Sequence, residues 1–213
     1  MFISSNTIAM YSFSNIIFLY LLVNMIINID IQGKKKKYNM IDSWLDVSLS
    51  NLQRFLAYQD LNPSSAATNT INLFSDIPKE VIKQLSLTDV VALLSQINEM
   101  EFEKDAKHRA TFILEGTKYG FIPSLEDISL GEYADIETFI KGGVEDNLSN
   151  IMSVLFRPIV KESKHGYTIE AYDGATQKSR SKLFNYMSAV QVQNSLVFFG
   201  VSGIYYPKLF DCL

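Results

Sequence analysis

The sequence predicts an α+β fold, mainly α: a single helical domain with one β-hairpin at about residues 111–122. Three observations carry that prediction. Apolar residues recur at helical spacing through most of the chain after residue 40, as in Leu49, Leu52, Phe55 and Leu56. Residues 111–122 break the pattern, with two runs of β-forming residues around Glu115-Gly116-Thr117-Lys118. The chain has 213 residues, 47% of them hydrophobic, with a formal net charge of −4, which suffices for one ordinary core and excludes disorder throughout.

Taken in order, Ser48 is a candidate N-cap for a helix that buries Leu49, Leu52, Phe55 and Leu56, and Asn62-Pro63 stops it. Residues 70–74 form a short apolar segment of no assigned type. Pro78 fits the first turn of a helix over 77–85, where its missing N–H costs nothing. Thr88-Asp89 caps a longer helix with a stripe of Val90, Val91, Leu93, Leu94, Ile97 and Met100. After the hairpin, where Gly116 suits a tight turn, Ser129 caps a helix over 131–140 that Gly142-Gly143 ends. Leu148, Ile151, Met152 and Leu155 mark the next helix, with Pro158 as its limit. Residues 161–174 read as loop with a short strand near 167–170, residues 175–187 as a polar, basic helix, and residues 191–206 as strongly apolar.

The first 39 residues differ in composition. Residues 8–31 are almost uncharged and long enough for a bilayer span, and Lys34 to Lys37 would sit on the cytoplasmic side of such an anchor. Asn15, Asn24 and Asn28 weaken that reading, because an unpaired amide is costly in hydrocarbon. The favoured expectation is that translation starts at Met40, with residues 1–39 a mis-start, since Gly33 and four lysines imply a purine-rich run just upstream. The alternative is an N-terminal membrane anchor. A start at Met40 leaves 174 residues with 15 basic and 22 acidic side chains, an acidic globular domain over 40–213.

The chain offers little reactive chemistry. One cysteine excludes an internal disulfide, and Cys212 reads as a free thiol. Two histidines, His108 and His165, both stand in polar surroundings, far from any Gly-x-Ser-x-Gly sequence. With so few Cys and His, a zinc site is excluded in practice. The carboxylates Glu99, Glu101, Glu103, Asp105, Glu126, Asp127, Glu132, Asp135 and Glu137 read as solvated helix ends and helix-dipole partners. Lys161, Lys164, Lys178, Arg180 and Lys182, with Tyr167 and Tyr172 interleaved, form a basic cluster that reads as a solvated face. Neither a catalytic residue, a metal site nor a cofactor is expected, and the acidic balance speaks against nucleic acid as partner. The apolar tail is a candidate partner-binding surface through Leu196, Val197, Phe198, Phe199, Ile204 and Tyr205, or packs back on the domain.

Several segments carry a family resemblance: Trp44-Leu-Asp-Val-Ser-Leu, then residues 121–137 with Ile-Ser-Leu-Gly-Glu-Tyr-Ala-Asp-Ile, then residues 147–159 with Met-Ser-Val-Leu-Phe-Arg-Pro-Ile, and Leu196-Val-Phe-Phe. In that order they resemble small proteins of tailed phages and prophages of Bacteroidales-type bacteria. Those are similar in general plan to phage tail or baseplate assembly proteins, tail assembly chaperones included. The resemblance implies a non-enzymatic assembly factor in the host cytoplasm, contacting other tail or baseplate proteins or itself. It also implies a structural motif of Gly131, Glu132, Tyr133, Asp135, Arg157 and Pro158, in which Arg157 sets the turn at Pro158 through carboxylates such as Asp135. The alternatives are a structural tail or baseplate component of the virion, and a small membrane-anchored protein held by residues 8–31.

Overall fold

The computed structural model describes residues 25–31, 34–100, 109–124, 126 and 128–198. Among these are eight α-helices and two antiparallel sheets, so the α+β, mainly α class holds. The chain divides into two units rather than the single domain expected: residues 1–42 with 62–100, and residues 43–61 with 101–213.

In the first unit, strand β1 (Met25–Ile31) pairs antiparallel with β2 (Lys34–Met40), placing Ile27 opposite Tyr38 and Asp30 opposite Lys35. Alternation along the strands sends Ile27 and Ile29 into the core, with Met40 at the far end. A membrane helix over 8–31 was one expectation; its last seven residues are strand β1, and residues 8–24 lie outside the described residues. Among the described residues no helix is long and apolar enough to cross a membrane.

Helix α2 (Pro63–Phe74) begins where the sequence suggested only a stop. Asn62 is its N-cap, accepting from the Ser65 N–H at 3.0 Å, and Pro63 takes the first helical position. The unassigned segment 70–74 is the end of this helix, burying Thr70, Ile71, Leu73 and Phe74. The Asn39 side chain and backbone N–H both donate to the Asp76 carboxylate at 2.8 Å, which fastens β2 to the end of α2. Helix α3 (Lys79–Ile82) is a single turn, shorter than expected. Helix α4 (Leu87–Asn98) is capped by Ser86, not Thr88, and buries Leu93 and Ile97; Val91 is exposed.

The second unit starts with a 3-10 turn (Trp44–Asp46) and α1 (Leu49–Tyr58), capped by Ser48 and burying the four expected residues. Strands β3 (Thr111–Leu114) and β4 (Thr117–Phe121) form the expected hairpin. Its two turn residues, Glu115 and Gly116, both have positive φ (49° and 74°), as a type I′ connection demands. Helices α5 (Leu130–Lys141) and α6 (Val144–Leu155) follow.

Helix α6 ends at Leu155, ahead of Pro158 as expected, and the chain continues as strand rather than loop. Strand β5 (Phe156–Ser163) leaves α6 directly and pairs with β4, Pro158 lying opposite Tyr119. Strand β6 (Gly166–Ile169) completes a sheet ordered β3-β4-β5-β6. Helices α7 (Gly174–Phe184) and α8 (Ala189–Phe198) close the described chain. Phe184 of α7 meets the rings of Phe112 and Tyr119 edge-on, at 5.6 and 5.0 Å between centroids, and Phe156 meets Phe112 and Phe121, each at 5.1 Å. These aromatics form the contact between sheet and helices.

Tyr167 of β6 reaches across the sheet, its single hydroxyl proton shared between the carbonyls of Phe121 (2.9 Å) and Ala110 (3.1 Å). Its ring lies where a side chain at Gly120 would stand: a Cβ there would come within 2.8 Å of Tyr167 Cδ2 and 3.0 Å of Ile159 Cγ1. Gly120→Ala is therefore expected to cost about 1–3 kcal/mol by overpacking. Chemical denaturation checks this. Intrinsic preference favours alanine over glycine in a strand, so a stabilised variant would show that the Tyr167 ring does not hold this position.

Candidate functional site

Helix α5 carries most of the Ile-Ser-Leu-Gly-Glu-Tyr-Ala-Asp-Ile segment quoted above. Its first turn is fixed by a capping box: Glu132 N–H donates to Ser129 Oγ at 3.3 Å, and Glu132 Oε2 accepts from the Ser129 N–H at 2.7 Å. That reciprocal arrangement leaves the other carboxylate oxygen of Glu132 facing inward. There Oε1 meets Arg157 Nη2 at 2.6 Å, in an ion pair whose side chains are 5% and 7% exposed.

The expected pairing of Arg157 with Asp135 is thus corrected: Glu132 holds Arg157, and Asp135 has another role. The Asp135 carboxylate accepts from the Tyr172 hydroxyl. The Tyr172 ring in turn lies beneath the Arg157 guanidinium, 5.7 Å from its centroid. Arg157 sets no turn at Pro158 either, because both residues belong to strand β5. Gly131 is exposed, with space for a Cβ 3.6 Å from the Tyr172 ring.

A second arginine belongs to the same cluster. Arg180 does not belong to the solvated basic face that the sequence suggests for it and its neighbouring lysines: it is 7% exposed. Its Nε donates to the Ser153 carbonyl at 3.0 Å and its Nη1 pairs with Glu170 Oε2 at 3.1 Å. Gln177, one turn earlier on α7, donates to Ser153 Oγ at 2.8 Å. Lys161, Lys164, Lys178 and Lys182 remain exposed, as the solvated-face reading requires.

Electrostatically, two guanidiniums stand among three carboxylates, those of Glu132, Asp135 and Glu170. Burial pushes the Arg157 pKa down, and the adjacent Glu132 carboxylate opposes the shift. Burial also pushes the Tyr172 hydroxyl up, reinforced by its hydrogen bond to Asp135, so the phenol stays protonated and keeps donating. Arg157 Nε, Arg180 Nη2 and Glu132 Oε1 are buried without a well-aligned hydrogen bond among the described residues, so Glu132 Oε1 and Arg157 Nη2 are held at 2.6 Å as an ion pair. The cluster's carboxylates are engaged with cations or a phenol, which suits positioning of α5 against β5 and against Tyr172 ahead of α7.

The other side of α5 is different. Leu130 is 84% and Tyr133 55% exposed, three residues apart and hence adjacent on the helix surface. Of the tail residues named as a partner surface, Leu196 is 5% exposed and packs in the core, which removes it from that surface. The side chains of Val197 and Phe198, and all of Phe199, Ile204 and Tyr205, lie outside the described residues. Among the described residues no group of three or more His, Cys, Asp or Glu is arranged to hold a metal ion. His165 is exposed between β5 and β6, and His108 lies outside the described residues.

Sequence reasoning missed Arg180, although a signal existed. Gln177, Arg180, Ser181 and Phe184 are buried at spacings of three, four and seven on a helix otherwise polar. In comparison with known proteins, the chain matches no family model, no curated protein and no solved structure.

Proposed function

We infer that this chain is a bacteriophage tail or baseplate assembly factor acting by protein–protein contact, without a cofactor, in the host cytoplasm. The observation that carries the reading is the two-sided construction of α5. Its inward residues, Glu132 and Ile136, are buried, the first in an ion pair with Arg157, so the helix is held in a fixed orientation. That orientation leaves Leu130 and Tyr133 outward, an apolar and an aromatic side chain of the kind that anchors interfaces. The same segment carries the phage resemblance.

Peptide mass spectrometry on phage-producing cells and on purified particles tests this directly. The expected result is abundance in the lysate and depletion from particles, with co-purification of a tail or baseplate protein that Leu130→Ser with Tyr133→Ser reduces at least tenfold. Abundance in particles would instead assign the chain to the virion tail. Retention of the partner by the double variant would remove the α5 face as the interface.

A further inference from the structure

We propose that the open edge of strand β1 is a docking site for an extended segment of a partner protein in which aliphatic and basic residues alternate. The first unit holds a cavity of about 190 Å³ lined by Ile27, Asn28, Ile29 and Asp30 of β1. Leu85, with Asp89 and Leu93 one turn apart on α4, completes the lining. Side chains alternate between the two faces of a strand, so a cavity on one face meets every second residue. Four consecutive lining residues therefore place this cavity along an edge of β1. It is the edge away from β2, because all seven residues of β1 pair with β2 on the other side and no residue of β2 lines the cavity. Among the described residues this sheet holds no third strand. The backbone N–H and C=O groups that β1 turns away from β2 are those an added strand engages.

The two faces of β1 set what such a strand carries. On the inner face Ile27 and Ile29 are buried, as is Leu93, and Leu85 is half-buried. An apolar cavity of about 150 Å³ holds a benzene molecule, so this one has room for a branched aliphatic side chain. On the outer face Asn28 and Asp30 are exposed, and Asp89 of α4 is exposed as well. Two carboxylates and no cation line the cavity, and Lys35, opposite Asp30 in the register, stands on the β2 side. Asp89 makes no ion pair among the described residues; its Oδ2 accepts from the Ser86 hydroxyl at 2.6 Å. A strand laid along β1 with the same alternation points aliphatic side chains inward beside Ile27 and Ile29 and basic ones toward the carboxylates. An acidic segment would meet like charge there.

The site lies in the first unit and does not rest on the α5 reading. Fluorescence anisotropy of a labelled Lys-Val-Lys-Val-Lys-Val peptide with the full chain tests it. Saturable binding is expected at about 0.1 M salt, tighter by about tenfold or more than that of Glu-Val-Glu-Val-Glu-Val. Only alternate N–H groups of a strand point to its neighbour. N-methylation of the lysine amides in one peptide and of the valine amides in another should therefore give unequal losses, about tenfold for the set that faces β1. Asp89→Asn should weaken binding about threefold, the scale of an exposed ion pair. Absence of saturable binding, equal binding of the glutamate peptide, or equal losses from the two N-methylated peptides would each overturn the proposal. So would strong hydrogen-exchange protection, before any peptide is added, of the β1 amides that face away from β2, which would assign the edge to a segment of this chain or to a second copy.

Discussion

Arg157→Ala is expected to lower folding stability by about 3–5 kcal/mol, because it leaves a buried carboxylate without its cation. Glu132 is 4% exposed, and its Oε1 has Arg157 Nη2 at 2.6 Å as its charged neighbour. Removing the guanidinium also strips the cation from the face of the Tyr172 ring. The urea midpoint reads the loss, with an unchanged slope if the native state keeps its compactness. A paired replacement, Glu132→Leu with Arg157→Leu, should recover much of the loss, since exchanging both members of a buried pair for apolar residues is often neutral. It will not recover all of it, because Glu132 also accepts from the Ser129 N–H in the capping box. A cost below about 1 kcal/mol for Arg157→Ala would instead mark an exposed, solvent-screened pair.

Phe184→Ala is expected to cost a comparable amount, about 3–5 kcal/mol, for a different reason. Phe184 is fully buried and its ring meets both Phe112 and Tyr119 edge-on, so truncation opens a cavity at the contact of α7 with the β3–β4 hairpin. The neighbouring Tyr186 supplies the control. At 72% exposure, its change to alanine should shift stability by no more than about 0.5 kcal/mol. Thermal unfolding of the two variants side by side checks the contrast. A small effect at Phe184 would mean that the surrounding rings close over the gap.

Much of the fold was legible because local chemistry and tertiary packing agree. Ser48 and Ser129 are caps both by sequence pattern and by hydrogen bond, and the apolar stripes of α1 and α6 are the buried ones. The failures came where one residue type serves opposite purposes. Pro63 was read as a terminator, yet it opens α2 behind an Asn62 cap. Pro158 does lie beyond the end of α6, as its sequence suggests, but nothing in the sequence shows that it stands in β5, where its carbonyl accepts from the Glu170 N–H at 2.8 Å. The β1–β2 hairpin escaped because an unbroken apolar run carries no period-2 alternation to distinguish strand from span. In the cluster, Glu132 was named and its partner missed: periodicity places Glu132 and Asp135 on the same helix without saying which of them faces β5. Arg180 was hidden by composition, since its neighbours Lys178 and Lys182 are exposed.

The sheet of the second unit has a consequence for the order in which it assembles. Each of its hairpins is local, β3 with β4 and β5 with β6, and such hairpins close in about 1–10 μs. Their joining is not local: Lys118 and Glu162, paired across the joined hairpins, are 44 residues apart, and Tyr167 lies 57 residues from the Ala110 carbonyl it bonds. Between them lie α5 and α6, whose formation shortens the span that β4–β5 pairing has to close. Chain entropy therefore makes the β4–β5 ladder the late step and ties its rate to α5 and α6. A weakened Glu132–Arg157 pair would then slow closure of the sheet as well as loosen the finished fold, since Arg157 stands opposite Gly120 in that ladder.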